Sequence, residues 1–282
     1  MTDEFVGNEF QQPGGWLIEE EDWAYLDSRD DESQVVSLFG NYEEIPFDPR
    51  SIMKVENQRN QGACQGHAVS TCQEFCYYLA TNDFETQFSR AMGYYESQRR
   101  DGISGDRGST ISGGCNLVTE VGICEEALWP YPSSYNPKRP RDWQKVLDNA
   151  QKFRIKRQNR LTTYQGVRTF LGSGQGAINI GIGWSGSMSR AVIESYRPGG
   201  GGHAIALICL SERKDSQGRP YVWMLNSWGT SFGNQGWSEW SPRAVEQMLN
   251  SRSTVAIGLS DMLNVEPRKI HSREGWMNYL EV

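Results

Sequence analysis

The chain has 282 residues, 37% of them hydrophobic and 11% aromatic, with ten Trp. That composition suffices for one large domain, or two lobes around a cleft, and excludes a globally disordered chain. The net charge of −7 is uneven, because residues 1–45 hold 13 Asp and Glu against a single basic residue, Arg29. The body that follows is therefore net basic, but the acidic whole argues against nucleic acid as a partner. The longest apolar run, from His203 to Leu210, is far too short to cross a bilayer, so no membrane partner is expected.

The N-terminus, Met-Thr-Asp-Glu-Phe, lacks a basic region followed by an apolar stretch. The expected location is cytoplasmic by default, or within an assembled particle. The acidic arm carries aromatics at Phe5, Phe10, Trp16, Trp23 and Tyr25, too many for a plain linker, and is expected to dock on the body as a pro-segment or docking arm. One candidate contact is the stretch 138–160, with nine basic and two acidic residues. Residues 46–60 read as extended chain because Pro46 and Pro49 oppose helix.

A helix is expected from Ala63 to Thr81, where Ala68, Cys72, Phe75, Cys76 and Leu79 recur near every 3.6 residues. A second is expected over 111–121, stopped by Gly122. Prolines at 130, 132, 137 and 140 then make a crossing segment. Beyond about residue 160, short apolar runs at Ala177–Ile182, Ala204–Leu210, Tyr221–Leu225 and Thr254–Leu259 lie between glycine-rich turns and predict strands. The fold class is α+β: a helical lobe over about 46–135, a β-rich, barrel-like lobe over about 150–262, a cleft between them, and a tail over 263–282.

Three segments carry chemistry. In Gly62-Ala63-Cys64 a glycine turn delivers a cysteine to the first turn of a helix. There the unpaired backbone N–H groups and the helix dipole favour the thiolate. In the second, His203 follows four glycines and opens an apolar strand, a position suited to a general base. In the third, Asn226-Ser227-Trp228-Gly229, an amide oxygen can orient an imidazole and Trp228 can shield that bond from water.

In order, these blocks resemble the papain family of cysteine peptidases. Asn226 to Gly229, then Phe232-Gly233 and Gly236-Trp237, is similar to the sequence around that family's active-site asparagine. His203-Ala204 resembles its histidine block, and Gln58 with Cys64 six positions on matches its glutamine and cysteine. Gly122-Ile123 followed by Trp129-Pro130-Tyr131 fits a further block. The resemblance covers roughly 46–260 and implies a two-lobed fold in which Cys64 is nucleophile, His203 base, Asn226 its orienting group and Gln58 an oxyanion donor. Gly108-Ser109 sits where the family has a Gly-Gly strip that pairs with substrate, and the serine is expected to narrow the groove or alter its backbone. Counting from Gln61 would put His67 at the nucleophile position, but would leave Gln58 without a role.

The expected function is a cysteine-type endopeptidase acting on peptide or protein substrates through a thioester, with no cofactor or metal. The alternative is a silent or masked papain-like component of a larger assembly. His67, one helical turn after Cys64, is expected to be a core or cleft-lining residue. His271, in the tail, is expected to be exposed. The six cysteines at 64, 72, 76, 115, 124 and 209 are expected as thiols rather than as a disulfide frame, and show no metal-ligand spacing.

Overall fold

A computed structural model describes residues 16–17 and 47–265. The remaining arm aromatics, His271 and most of the tail lie outside the described residues. Helix α1 (Cys64–Thr81) begins at the expected cysteine and closes on Asn82, whose left-handed backbone caps it through Tyr78 C=O. Helix α3 (Ile111–Glu120) is capped by Thr110, whose hydroxyl accepts from Gly113 N–H. Gly122 follows with φ +86°, and a side chain there would strike Ala150 C=O. Between them lies a helix the apolar pattern does not predict, α2 (Arg90–Arg100), capped by Ser89. Helix α4 (Trp143–Ala150) follows the proline-rich crossing segment.

The second half supplies the strands β1 (Ile155–Arg160), β2 (Gly176–Trp184), β3 (Val192–Ile193), β4 (Gly201–Lys214), β5 (Pro220–Leu225), β6 (Trp237–Trp240) and β7 (Thr254–Met262). Helix α5 (Tyr164–Gly172) precedes β2 and α6 (Pro242–Leu249) precedes β7. The strands form one sheet in the order β1-β7-β2-β4-β5-β6-β3, antiparallel except for the β3–β6 pair. Among the described residues this sheet is open, with β1 and β3 at its edges. The expected barrel-like lobe is thus a seven-stranded sheet that does not close.

The sheet has two buried faces, which is why its central strands read as continuous apolar runs. Ala177 of β2, Ala204, Ala206 and Ile208 of β4, and Val255, Ile257 and Leu259 of β7 share a core with α1 to α3. The alternate residues, among them Ile178, Ile180, Ile205 and Leu207, pack with α5 and α6 on the other side. Small residues on the α1 side let the helix approach closely, to the point that Cys76 Sγ donates to Leu259 C=O at 3.2 Å. At its other end, Cys64 at the start of α1 lies against Ala204 near the start of β4.

Part of the basic stretch 138–160 is engaged by the body itself, although most of its Lys and Arg side chains are exposed. Arg139 pairs with Glu96 and covers Trp143, Arg154 donates to Thr119 C=O, and Arg157 pairs with Asp261. Its last third is β1, where Lys and Arg protect an exposed sheet edge from unwanted pairing.

Candidate active site

Cys64 opens α1 with no side-chain cap from Ala63. Its Sγ accepts a hydrogen bond from the Ala204 N–H at 3.3 Å, so the sulfur lies against the His203–Ala204 peptide of β4. From the far side of that imidazole comes Asn226, at the end of β5. Its Oδ1 lies 2.8 Å from His203 Nε2 and also accepts the Ser227 N–H at 2.7 Å. A backbone N–H can only donate, so this atom is the amide oxygen and His203 Nε2 carries a hydrogen. The neutral ring then has its lone pair on Nδ1, which makes no hydrogen bond among the described residues. That is the tautomer needed to accept a proton from a thiol.

Trp228 lies over the imidazole with ring centroids 4.4 Å apart and planes inclined by 28°. Trp184, the last residue of β2, meets the same ring edge-on at 4.9 Å and meets Trp228 at 5.0 Å. The His203–Asn226 bond is thus enclosed by two indoles, one of which has no local signal in the sequence. Gly229 holds the turn that presents Trp228: its φ is +72°, and a side chain there would press on Asn57.

Gln58 joins the same group. Its Oε1 accepts from Ser227 Oγ at 2.6 Å and Trp228 Nε1 at 3.2 Å, and its Nε2 donates to Gln61 C=O at 2.9 Å. Its main-chain carbonyl accepts from Tyr131 O–H at 2.9 Å, a role the sequence did not suggest for that tyrosine. The amide is therefore fixed in orientation, its oxygen on Ser227 and Trp228 and its NH2 on the Gln61 carbonyl.

Gly108 and Ser109 lie before α3, Gly108 with φ +91°. Ser109 is buried. Its side chain turns inward, where Oγ donates to Gln65 Oε1 at 2.9 Å, and its carbonyl faces the cleft. That carbonyl accepts the Leu17 N–H at 3.2 Å, and Trp16 pairs with Ser109 as a parallel bridge.

The two described residues of the acidic arm thus lie in the cleft rather than on the basic stretch. Trp16 is only 3% exposed. Its indole rests on Gly181 of β2 and its carbonyl on Gly202, next to His203; a Cβ on either glycine would overlap it. With Trp16 in place, Cys64 is 0% and His203 1% exposed. Burial pushes the His203 imidazole down to about 4, against the opposing hydrogen bond that it donates to Asn226.

His67 is buried in the core, its Nδ1 3.0 Å from Ala63 C=O. No two of the six cysteines are joined in a disulfide, and burial raises the thiols of Cys72, Cys76, Cys124 and Cys209. Among the described residues no group of His, Cys, Asp and Glu is disposed to hold a metal ion, and no helix is long and apolar enough to cross a membrane.

A helical layer packs on an open sheet, and a cysteine at a helix start lies beside the strand that carries an amide-oriented histidine. The chain belongs to the papain family of cysteine proteases, whose sequence model matches residues 45–257. No curated protein matches it significantly. Solved structures share the fold. Xylellain, a cysteine protease from Xylella fastidiosa, is 20% identical with a TM-score of 0.68, over 92% of this chain and all of that one. The proform of the ragweed pollen cysteine protease Amb a 11 is 18% identical with a TM-score of 0.64, over 88% and 76%. Procathepsin L 3 of Tenebrio molitor is 14% identical with a TM-score of 0.60, over 82% and 79%.

Proposed function

We propose that the chain is a cysteine endopeptidase held latent by its own N-terminal arm. The observation that carries this reading is the tautomer of His203: Asn226 Oδ1 takes the Nε2 hydrogen, so the Nδ1 lone pair is the one available to Cys64. His203 takes the thiol proton and leaves a thiolate at the positive end of α1. The thiolate adds to a peptide carbonyl, and the developing oxyanion receives the Cys64 N–H and the Gln58 amide, each worth about 2.7–4 kcal/mol by analogy with other oxyanion holes. The imidazolium returns its proton to the leaving amine. Water, deprotonated by His203, then hydrolyses the thioester and restores the thiol. Trp228 and Trp184 keep water from the Asn226–His203 bond throughout.

Latency is supported by the position of Trp16 and Leu17. They occupy the Ser109 carbonyl and the floor at Gly181 and Gly202, where an extended substrate has to lie. The covered site also opposes the chemistry electrostatically, because a buried imidazole resists becoming the imidazolium that must balance the thiolate. Two of the comparison structures are proforms.

The test is digestion of a peptide library by the full chain carrying Trp16→Ala, beside the same chain also carrying Cys64→Ala. Cleavage and labelling by a thiol-directed epoxide are expected only with Cys64 present. Cleavage that survives the loss of Cys64 would overturn the assignment.

A further inference from the structure

One buried group has no part in that chemistry. His67 sits on α1, wholly buried and edge-on to Tyr131 with ring centroids 4.6 Å apart. The Ala63 carbonyl beside Nδ1 can only accept, so Nδ1 carries the hydrogen and Nε2 the lone pair. Burial, with the charges of Arg90 and Arg59, pushes its pKa down to about 3, so the ring stays neutral and Nε2 stays an acceptor. Yet Nε2 is buried and makes no hydrogen bond among the described residues.

Asn226 presents the complementary case. Because its Oδ1 faces His203 and Ser227, its NH2 faces the opposite way, and Nδ2 is likewise buried with no partner among the described residues. Leaving a buried donor or acceptor unpaired costs about 1–3 kcal/mol. Both side chains line one small cavity behind the histidine, together with Glu56, Thr71, Ala204 and Leu225. The space open to the centre of a water-sized sphere is about 10 Å³, close to the minimum for a single water, and the walls supply the polar partners that such a water needs.

We infer that this cavity is a one-water site and that His67 is a positioning residue for the orienting amide. The water accepts the Asn226 Nδ2–H and donates to His67 Nε2. The chain of hydrogen bonds then runs from Ala63 C=O through His67 and the water to Asn226, and on to His203. It holds the amide from its NH2 side and completes a three-point grip in which the oxygen can only face the imidazole. Cys64 and the group that aligns its base are thereby braced on the same helical turn.

The inference rests on the peptidase reading, and its test has two arms. A high-resolution crystal structure of the full chain with Cys64→Ala is expected to show a water within hydrogen-bond reach of both nitrogens; a dry cavity would overturn the site. Kinetics on the full chain in the Trp16→Ala background form the second arm. His67→Phe keeps the ring and its contact with Tyr131 but removes both nitrogens, and kcat is expected to fall about tenfold with KM little changed, the low end of what supporting partners of a site cost elsewhere. His67→Gln, which keeps a polar atom near the Nε2 position, is expected to recover most of that loss. In an Asn226→Ala background His67→Phe is expected to cost nothing further. An equal loss in both backgrounds would mean that His67 acts only through packing. If the Trp16→Ala chain shows no turnover, the peptidase reading fails, and the crystal structure still decides the water site.

Discussion

Replacing Trp16 by Ala removes the largest contact between the described arm and the cleft. The indole is 3% exposed, and a buried Trp contributes about 150–250 Å² of surface, so its burial stabilises docking by about 4–6 kcal/mol at ~25 cal/mol/Å². Its Nε1–H is buried without a partner among the described residues, which gives back about 1–3 kcal/mol. The net of about 1–5 kcal/mol, centred near 3, corresponds to a roughly 5- to 4000-fold shift from docked to open arm, about 140-fold at the centre, at 1.4 kcal/mol per decade. The assay is the second-order rate of Cys64 alkylation by iodoacetamide in the full chain, which reads exposure of the sulfur without needing a substrate. The rate is expected to rise by at least an order of magnitude in Trp16→Ala. Gly181→Leu, which fills the floor under the indole, is expected to act in the same direction from the opposite wall. Alkylation unchanged by both substitutions would show that Trp16 does not guard the sulfur.

Two further predictions concern stability. Arg90→Leu leaves Glu74 buried and without the guanidinium that donates to it at 2.7 Å, which is expected to cost about 3–5 kcal/mol. The melting temperature should then drop by roughly 10 °C, and Glu74→Met added to Arg90→Leu should recover most of it; a drop that the second change leaves untouched would refute the unpaired-charge argument. The folded pKa values of His67 and His203, about 3 and 4, lie below their ordinary 6.5 because both are buried. The unfolded chain therefore gains protons as pH falls below 6.5 while the native chain does not, so stability is lost between pH 6.5 and about 3. At pH 5 the loss is about 2 kcal/mol per histidine, to be read from urea midpoints at pH 7 and 5; equal midpoints would contradict it.

Helix α1 and the central strands were legible because their burial is apolar and periodic. Helix α2 was not, because polar side chains share its burial with Met92, Tyr94 and Tyr95: Arg90 pairs with Glu74, Glu96 with Arg139, and Gln98 donates to the Gly105 and Gly108 carbonyls. Those partners are distant in sequence or lie in loops, so no local period announces the helix. Strand β1 is basic for the same kind of reason, being an edge paired only to β7. In the site, Gln58, Cys64, His203 and Asn226 were legible as blocks in a fixed order. Trp184 and Trp16 were not, since each is a single indole whose role depends on what folds beside it. The setting of Ser109 was not legible, because it rests on the left-handed backbone at Gly108 and on the hydrogen bond to Gln65.

The two described arm residues are covalently tied to the body they cover. Trp16 and Leu17 join it at Phe47 through residues 18–46 of the same chain, so they return to the cleft at an effective concentration set by the length of that connection. Dilution does not release them, and a competing peptide has to outweigh that local supply. A single cut anywhere in the tether changes the order of the reaction: the plug becomes a separate molecule, its hold now falls with dilution, and the same nick that leaves every contact intact makes opening irreversible in a large volume.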